Sequence, residues 1–194
     1  MPNLKQILQD HSLWLSSNKT KGKQADLSNQ DLTRANLTGA NLAGANLAGA
    51  NLSYANLYYV YLAYANLTGA NLAGANLSYA NLENASLKDA SLIYANLTGA
   101  NLIGANLTYT NLYYANLANA NLSYANLYYA NLANANLENA NLTNANLENI
   151  KGIQVFKCFY VENNEKKIQY FLHSVEAKKE MSKRLANRQC SWVE

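Results

Sequence analysis

The sequence predicts an all-β solenoid, a chain that turns a corner once every five residues and stacks on itself. Three observations carry this. Leucine occupies every fifth position from Leu27 to Leu147, which makes 25 consecutive pentads without an insertion. Alanine stands two residues before each leucine, with three substitutions: Gln30, Val60 and Thr110. Asparagine stands just before each leucine, except at Asp26, Asp31, Tyr61, Ser86 and Ser91. Five residues advance an α-helix by about 500°, so the leucines would visit every face of a helix. In a flat strand an odd period sends successive leucines to opposite faces. Only a chain that corners once per pentad buries them together. Each side is then a very short strand, each corner a turn, and the leucines form internal columns. The period alone leaves the number of sides open.

The bulk properties bound the function. A chain of 194 residues suffices for one domain with a core. A formal charge of +3 does not by itself indicate a nucleic-acid binder. Between Ala25 and Asn149 six acids (Asp26, Asp31, Glu83, Asp89, Glu138, Glu148) stand against two bases, Arg34 and Lys88. The positive charge therefore lies in the two ends. No apolar run reaches the ~18 residues of a transmembrane helix. The start, "MPNLKQILQD", lacks the apolar core of a signal peptide. A cytoplasmic protein is expected, with Cys158 and Cys190 as free thiols in preference to a disulfide.

Uninterrupted tandem A(N/D)LXX resembles the pentapeptide-repeat family. The resemblance covers residues 25–149 and implies a right-handed quadrilateral β-helix with four pentads per coil. "HSLWLSSNKTKGKQADL" resembles the lead-in of some members, where a short helix precedes the first coil. On that geometry the pentads give about six coils, and at ~4.8 Å per coil a rod roughly 30 Å long. Each residue sits above the one twenty positions earlier. Burying each leucine contributes roughly 1.5–3 kcal/mol, which offsets the ordering of so repetitive a backbone. Val60 and Thr110 should widen the coil slightly, and the buried Thr110 hydroxyl needs a backbone partner.

The second residue after each leucine falls at the third position of a corner turn. A type II turn needs positive φ there, which suits Gly39 or Asn119. Tyrosine does not suit it. A different turn is expected at Tyr54, Tyr59, Tyr64, Tyr79, Tyr94, Tyr109, Tyr114, Tyr124 and Tyr129. "ANLTGANL" also recurs at 35, 65 and 95. Thirty residues are one and a half coils, so this period records duplication and does not align like on like.

Three segments follow: an N-terminal helical cap and linker (1–24), the repeat (25–149) and a C-terminal cap of hairpin then helix (150–194). Leu4, Ile7, Leu8, Trp14 and Leu15 have near-helical spacing. A helix there would cover an open end whose strand edges invite aggregation. "IQVFKCFYV" and "IQYFL" read as strands around the turn "ENNEKK". Phe156, Phe159 and Phe171 are available to close that end. Residues 174–189 read as a helix with Ser174 as N-cap and Ala177, Met181 and Leu185 on a thin apolar side. So thin a face leaves two options open: a helix lying loosely on the rod, or one packed on a second copy in a homodimer through 150–194.

No catalytic, cofactor or metal site is expected. His11 and His173 lie at opposite ends without a carboxylate pair, and both read as structural. Two cysteines 32 apart without matching histidines do not make a zinc site. "KGK" at 21–23 lacks the context of a phosphate loop. The N-x-[ST] triplets are products of the repeat. The asparagines are expected to hydrogen-bond along the outside. Lys178, Lys179, Lys183, Arg184 and Arg188 read as a solvated helix face.

The surface feature that stands out is tyrosine. On a twenty-residue coil Tyr59 lies beneath Tyr79, Tyr94 beneath Tyr114 and Tyr109 beneath Tyr129. These six are the candidate binding residues, with inter-coil stabilisation as the competing role of the same rings. The expected function is a non-catalytic structural or interaction protein that presents a rigid surface to a protein partner. Membrane and nucleic acid are not expected as partners. Two alternatives stand beside it. Some members of the resembled family mimic duplex DNA and modulate DNA gyrase. Mimicry needs one negative charge per ~1.7 Å of axis, and six acids fall far short. A glycan-binding surface built from the tyrosine columns is the other. Ice binding would need a regular threonine array, and the threonines here are broken up.

Overall fold

The computed structural model describes residues 4–152, together with the backbone of 155–162, 165–172 and 189–192. Helix α1 spans Leu4–Ser16. Beyond it, parallel bridges join each residue at the asparagine position to the one twenty residues on. They run without a gap from Asp26↔Asn46 to Asn131↔Lys151. Four pentads therefore make one coil, and the solenoid is four-sided.

The repeat sequence follows from backbone hydrogen-bond accounting. Buried or half-buried N–H groups must find acceptors. In the pentad Ala70–Gly74 all five do. Ala70 N–H donates across its corner to Leu67 O at 3.0 Å, and Asn71 N–H to Ala50 O at 2.9 Å. Leu72 N–H donates to Ser91 O at 2.7 Å and Gly74 N–H to Ile93 O at 2.8 Å. The coil ladder leaves only Ala73 N–H, and the Asn71 side-chain Oδ1 accepts it at 3.1 Å. The Asn71 amide then donates to Asn51 Oδ1 of the previous coil at 3.2 Å. Asparagine recurs because it holds an acceptor for its own corner and a donor for its neighbour. Aspartate has no such donor. It appears in the first coil, where Asp26 and Asp31 end their columns and receive Asn46 and Asn51.

Every repeat leucine from Leu27 to Leu147 is buried, and Leu72 and Leu92 have no exposed surface. The alanines between them complete the core. Thr110 is also buried, and its hydroxyl donates to Leu87 O at 2.8 Å, the backbone partner it required. The expected widening is not expressed in the corners. The turn hydrogen bonds at Val60 and Thr110 are 3.1 Å, the same as at Ala125.

The tyrosine corners overturn the sequence expectation of a separate turn type. All nine tyrosines have positive φ, between 54° at Tyr59 and 60° at Tyr64, alongside Gly74 at 66° and Asn119 at 60°. The preceding residue has negative φ throughout, and the residue after donates back to leucine O. Positive φ at the third position alone, with that bond, is the type II pattern. The ladder sets the corner and the side chain conforms to it.

At the N-terminal end, Leu4, Ile7 and Leu8 of α1 pack against the leucine core. Gly22 fits where an added Cβ would strike the backbone of Asp10 and Trp14. At the other end the ladder outlasts the leucine register. Ile150 occupies an alanine position against the core, and Lys151 makes the last bridge.

Three further strands follow: β1 (Val155–Glu162), β2 (Glu165–Leu172) and β3 (Gln189–Trp192). They form an antiparallel sheet of order β2-β1-β3. β1 and β2 are joined by a turn tighter than the expected "ENNEKK", since Glu162 already pairs with Glu165. The expected helix falls largely on 174–188, outside the described residues, as do His173 and the side chains of Phe156, Phe159 and Phe171. Gln189, placed at that helix's end, belongs instead to β3. A four-residue strand carries too short a pattern to be read from sequence.

Candidate interaction surface

Nine tyrosine side chains form three separate groups at the corners, while Tyr54, Tyr64 and Tyr124 have no ring partner among the described residues. At the corner after the Leu37 column, Tyr59 stacks on Tyr79 with centroids 5.2 Å apart and planes at 13°. Tyr58 meets both edge-on, at 4.4 and 5.9 Å. At the corner after the Leu32 column, Tyr94 stacks on Tyr114 at 5.2 Å, with Tyr113 edge-on to each. At the corner after the Leu27 column, Tyr109 stacks on Tyr129 at 5.2 Å, with Tyr128 edge-on to each. All three expected pairs are thus formed, because residues twenty apart are separated by one inter-strand spacing. The structure does not unite them. They occupy three corners and different coils.

Packing the phenols together disfavours their ionisation. Burial among its neighbours, followed by the Tyr59 hydroxyl, raises the Tyr58 pKa above the ordinary value. Repulsion from Tyr113 raises that of Tyr114, and burial raises that of Tyr128. At neutral pH each group is an uncharged array of ring faces and hydroxyls.

The first group has an addition that the spacing did not reveal. Tyr61 is the tyrosine in an asparagine position, and it is more than half exposed at 54%. It stands where the column would give the Asn81 amide an acceptor. A groove of about 280 Å³ runs beside it, lined by Tyr59, Tyr61, Tyr79, Asn81, Gly99 and Asn101. Gly99 keeps this space open, since an added Cβ would lie 2.7 Å from the Tyr79 ring. No charged side chain lines the groove. The sequence signal for it was the run "YYVY" at 58–61, the one place where an aromatic interrupts the asparagine series.

The groups able to do acid–base chemistry are placed otherwise. His11 is fully buried, stacks on Trp14 at 5.4 Å, and its Nδ1 accepts Ala25 N–H at 3.0 Å. The ring thus links α1 to the start of the first pentad. Asp26 is held below the usual carboxylate range by the Ser28 hydroxyl and N–H, and Asp31 likewise by Thr33. Both carboxylates are tied into corner hydrogen bonds. Among the described residues no cluster of histidine, cysteine or carboxylate could hold a metal ion. Among them, too, no helix is long and apolar enough to cross a membrane.

No curated protein sequence matches the chain. Among solved structures, HetL, a pentapeptide repeat protein involved in heterocyst differentiation regulation from Nostoc sp. strain PCC 7120, is 30% identical. That match covers 67% of this chain and 81% of HetL, with a TM-score of 0.38. Rfr23, a pentapeptide repeat protein from Cyanothece 51142, is 30% identical over 68% of this chain and 67% of its own, with a TM-score of 0.34. QnrB1, a plasmid-mediated fluoroquinolone resistance protein, is 23% identical over 63% of this chain and 70% of its own, with a TM-score of 0.33. The family described as pentapeptide repeats matches in eight copies over residues 23–57, 55–92, 85–123 and 120–151. That is the same stretch over which the ladder repeats every twenty residues, so the chain belongs to the pentapeptide repeat family.

Proposed function

We propose that the protein is a non-catalytic interaction protein that presents tyrosine-bearing corners of a rigid β-helix to a macromolecular partner. The carrying observation is conformational. Nine tyrosines sit at φ of 54–60°, where glycine sits without steric cost at other corners. The left-handed region costs an ordinary L-residue about 1–2 kcal/mol. Aromatic rings held outward against that cost fit a surface kept for recognition. Tyrosine is also a residue that dominates contact energies in interfaces. The candidate residues are Tyr59, Tyr79, Tyr94, Tyr114, Tyr109 and Tyr129. The finer architecture belongs to the same reading: a right-handed coil of about six turns, closed by α1 at one end and by residues 150–194 at the other, in the cytoplasm.

The test is affinity capture from native lysate with the wild-type chain and with Y58S/Y59S/Y79S, Y94S/Y113S/Y114S and Y109S/Y128S/Y129S. A partner retained by wild type and lost from at least one variant is expected. Equal capture by all four chains would overturn the reading. Sedimentation checks the homodimer through 150–194, for which a single monomeric species is the contrary result.

A second reading rests on the groove beside Tyr61. Exposed rings with side-chain amides and no charge suit a neutral saccharide, whose C–H faces stack on aromatics while its hydroxyls pair with amides. Retention on a glycan array that Tyr61→Ser abolishes is the supporting result. The geometry does not favour gyrase modulation, because the six acids remain scattered over the rod. A supercoiling assay with the purified chain checks this.

A further inference from the structure

The chain has two cysteines, 32 residues apart in sequence. The sheet brings them to the same level. In the antiparallel pairing of β1 with β3, Cys158 is the direct partner of Cys190. The register is shared by three other pairs, Phe156↔Trp192, Lys157↔Ser191 and Phe159↔Gln189. A slip by one residue would put the cysteines on opposite faces of the sheet. Directly opposed residues in an antiparallel pair have Cα atoms about 4.5–5.5 Å apart. Disulfides span Cα separations of about 4.4–6.8 Å. The backbone placement therefore meets the requirement for a bond in either kind of pair.

We propose that Cys158 and Cys190 are a cross-strand dithiol that closes to a disulfide and fastens β3 to β1. β3 is four residues long and among the described residues pairs with β1 alone, so a covalent link would add to the few hydrogen bonds of so short a strand. The oxidant is a small-molecule disulfide such as oxidised glutathione. One cysteine thiolate attacks it, forming a mixed disulfide and releasing one small thiolate. The second cysteine thiolate displaces the other. The protein gives up two protons and two electrons, and the small disulfide leaves as two thiols. In a reducing compartment such a pair is open at rest and closes on oxidation, the usual behaviour of cysteine pairs there. This goes beyond the proposed surface function and does not depend on it.

The experiment uses the full chain, reduced, desalted and equilibrated in glutathione buffers of increasing oxidation. It is then quenched with an alkylating agent and weighed intact. The expected result is a monomer passing from two alkyl groups to none, with a proteolytic peptide linking Cys158 to Cys190. C158S and C190S should each stop at a single mixed disulfide with glutathione. Two alkyl groups at every buffer ratio would overturn the proposal. So would two stable glutathione adducts on one wild-type chain, or a bond formed between chains.

Discussion

His11 Nδ1 accepts the N–H of Ala25 at 3.0 Å, joining α1 to the first pentad through a buried ring. That nitrogen must be bare, so the neutral ring carries its proton on Nε2, which has no hydrogen-bond partner. Burial lowers the His11 pKa. Protonation would turn a second donor onto Ala25 N–H. A folded pKa below the unfolded value of about 6.5 means stability is fully present above that pH. It is lost as pH falls below it. Thermal melts of wild type should therefore show a loss as pH falls below about 6.5 that His11→Phe lacks. The variant itself leaves a buried donor unpaired and should cost roughly 1–3 kcal/mol at neutral pH. Identical pH slopes would refute this assignment.

Asn71 makes one hydrogen bond to its own corner and one to the coil before it. Removing both in Asn71→Ala should destabilise by about 1–3 kcal/mol, at 0.5–1.5 per bond. The converse applies at Ser91, where Ile93 N–H lacks a side-chain acceptor. Ser91→Asn should raise stability by up to ~1.5 kcal/mol. Chemical denaturation of both variants decides it. An unchanged midpoint in the two would mean the column is decoration.

Tyr79 and Tyr64 share a backbone conformation, with φ of 58° and 60°. Tyr79 touches two other rings. Tyr64 has no ring partner among the described residues. Substituting glycine relieves the same backbone cost at both, so that contribution cancels in the comparison. Tyr79→Gly should be less stable than Tyr64→Gly by roughly 1–3 kcal/mol, the worth of two aromatic contacts. Equal stabilities would show that ring stacking contributes nothing.

The raised phenol pKa values of Tyr58, Tyr114 and Tyr128 give a prediction at the alkaline end. A folded pKa above the unfolded value near 10 leaves the contribution intact below that pH. It is lost as pH rises through the folded values. Phenolate absorbance should develop later in the folded chain than in denaturant. Coincident titration curves would contradict it.

The leucine period, the alanines and the tyrosine pairs were legible because each depends only on spacing. Residues twenty apart must meet once the coil is fixed. The tyrosine turn type was misjudged because a local preference was weighed without the ladder. Each corner is held by bonds to coils on both sides, and these outweigh the cost of one residue's φ. The second role of asparagine was hidden for a related reason. It becomes evident only when each backbone N–H has been assigned an acceptor. The groove at Tyr61 needed three dimensions, since Asn81 and Asn101 reach it from later coils. β3 was missed because four residues carry no periodicity.

The three tyrosine groups lie at successive corners, after the Leu37, Leu32 and Leu27 columns, at progressively later coils. They climb the molecule as a staircase. A flat partner laid along one side reaches at most the two corners that bound it. Engaging all three steps would require a binder that wraps around an edge, such as an extended segment ordering as it binds. The rod's handedness would then decide which way such a segment has to wind.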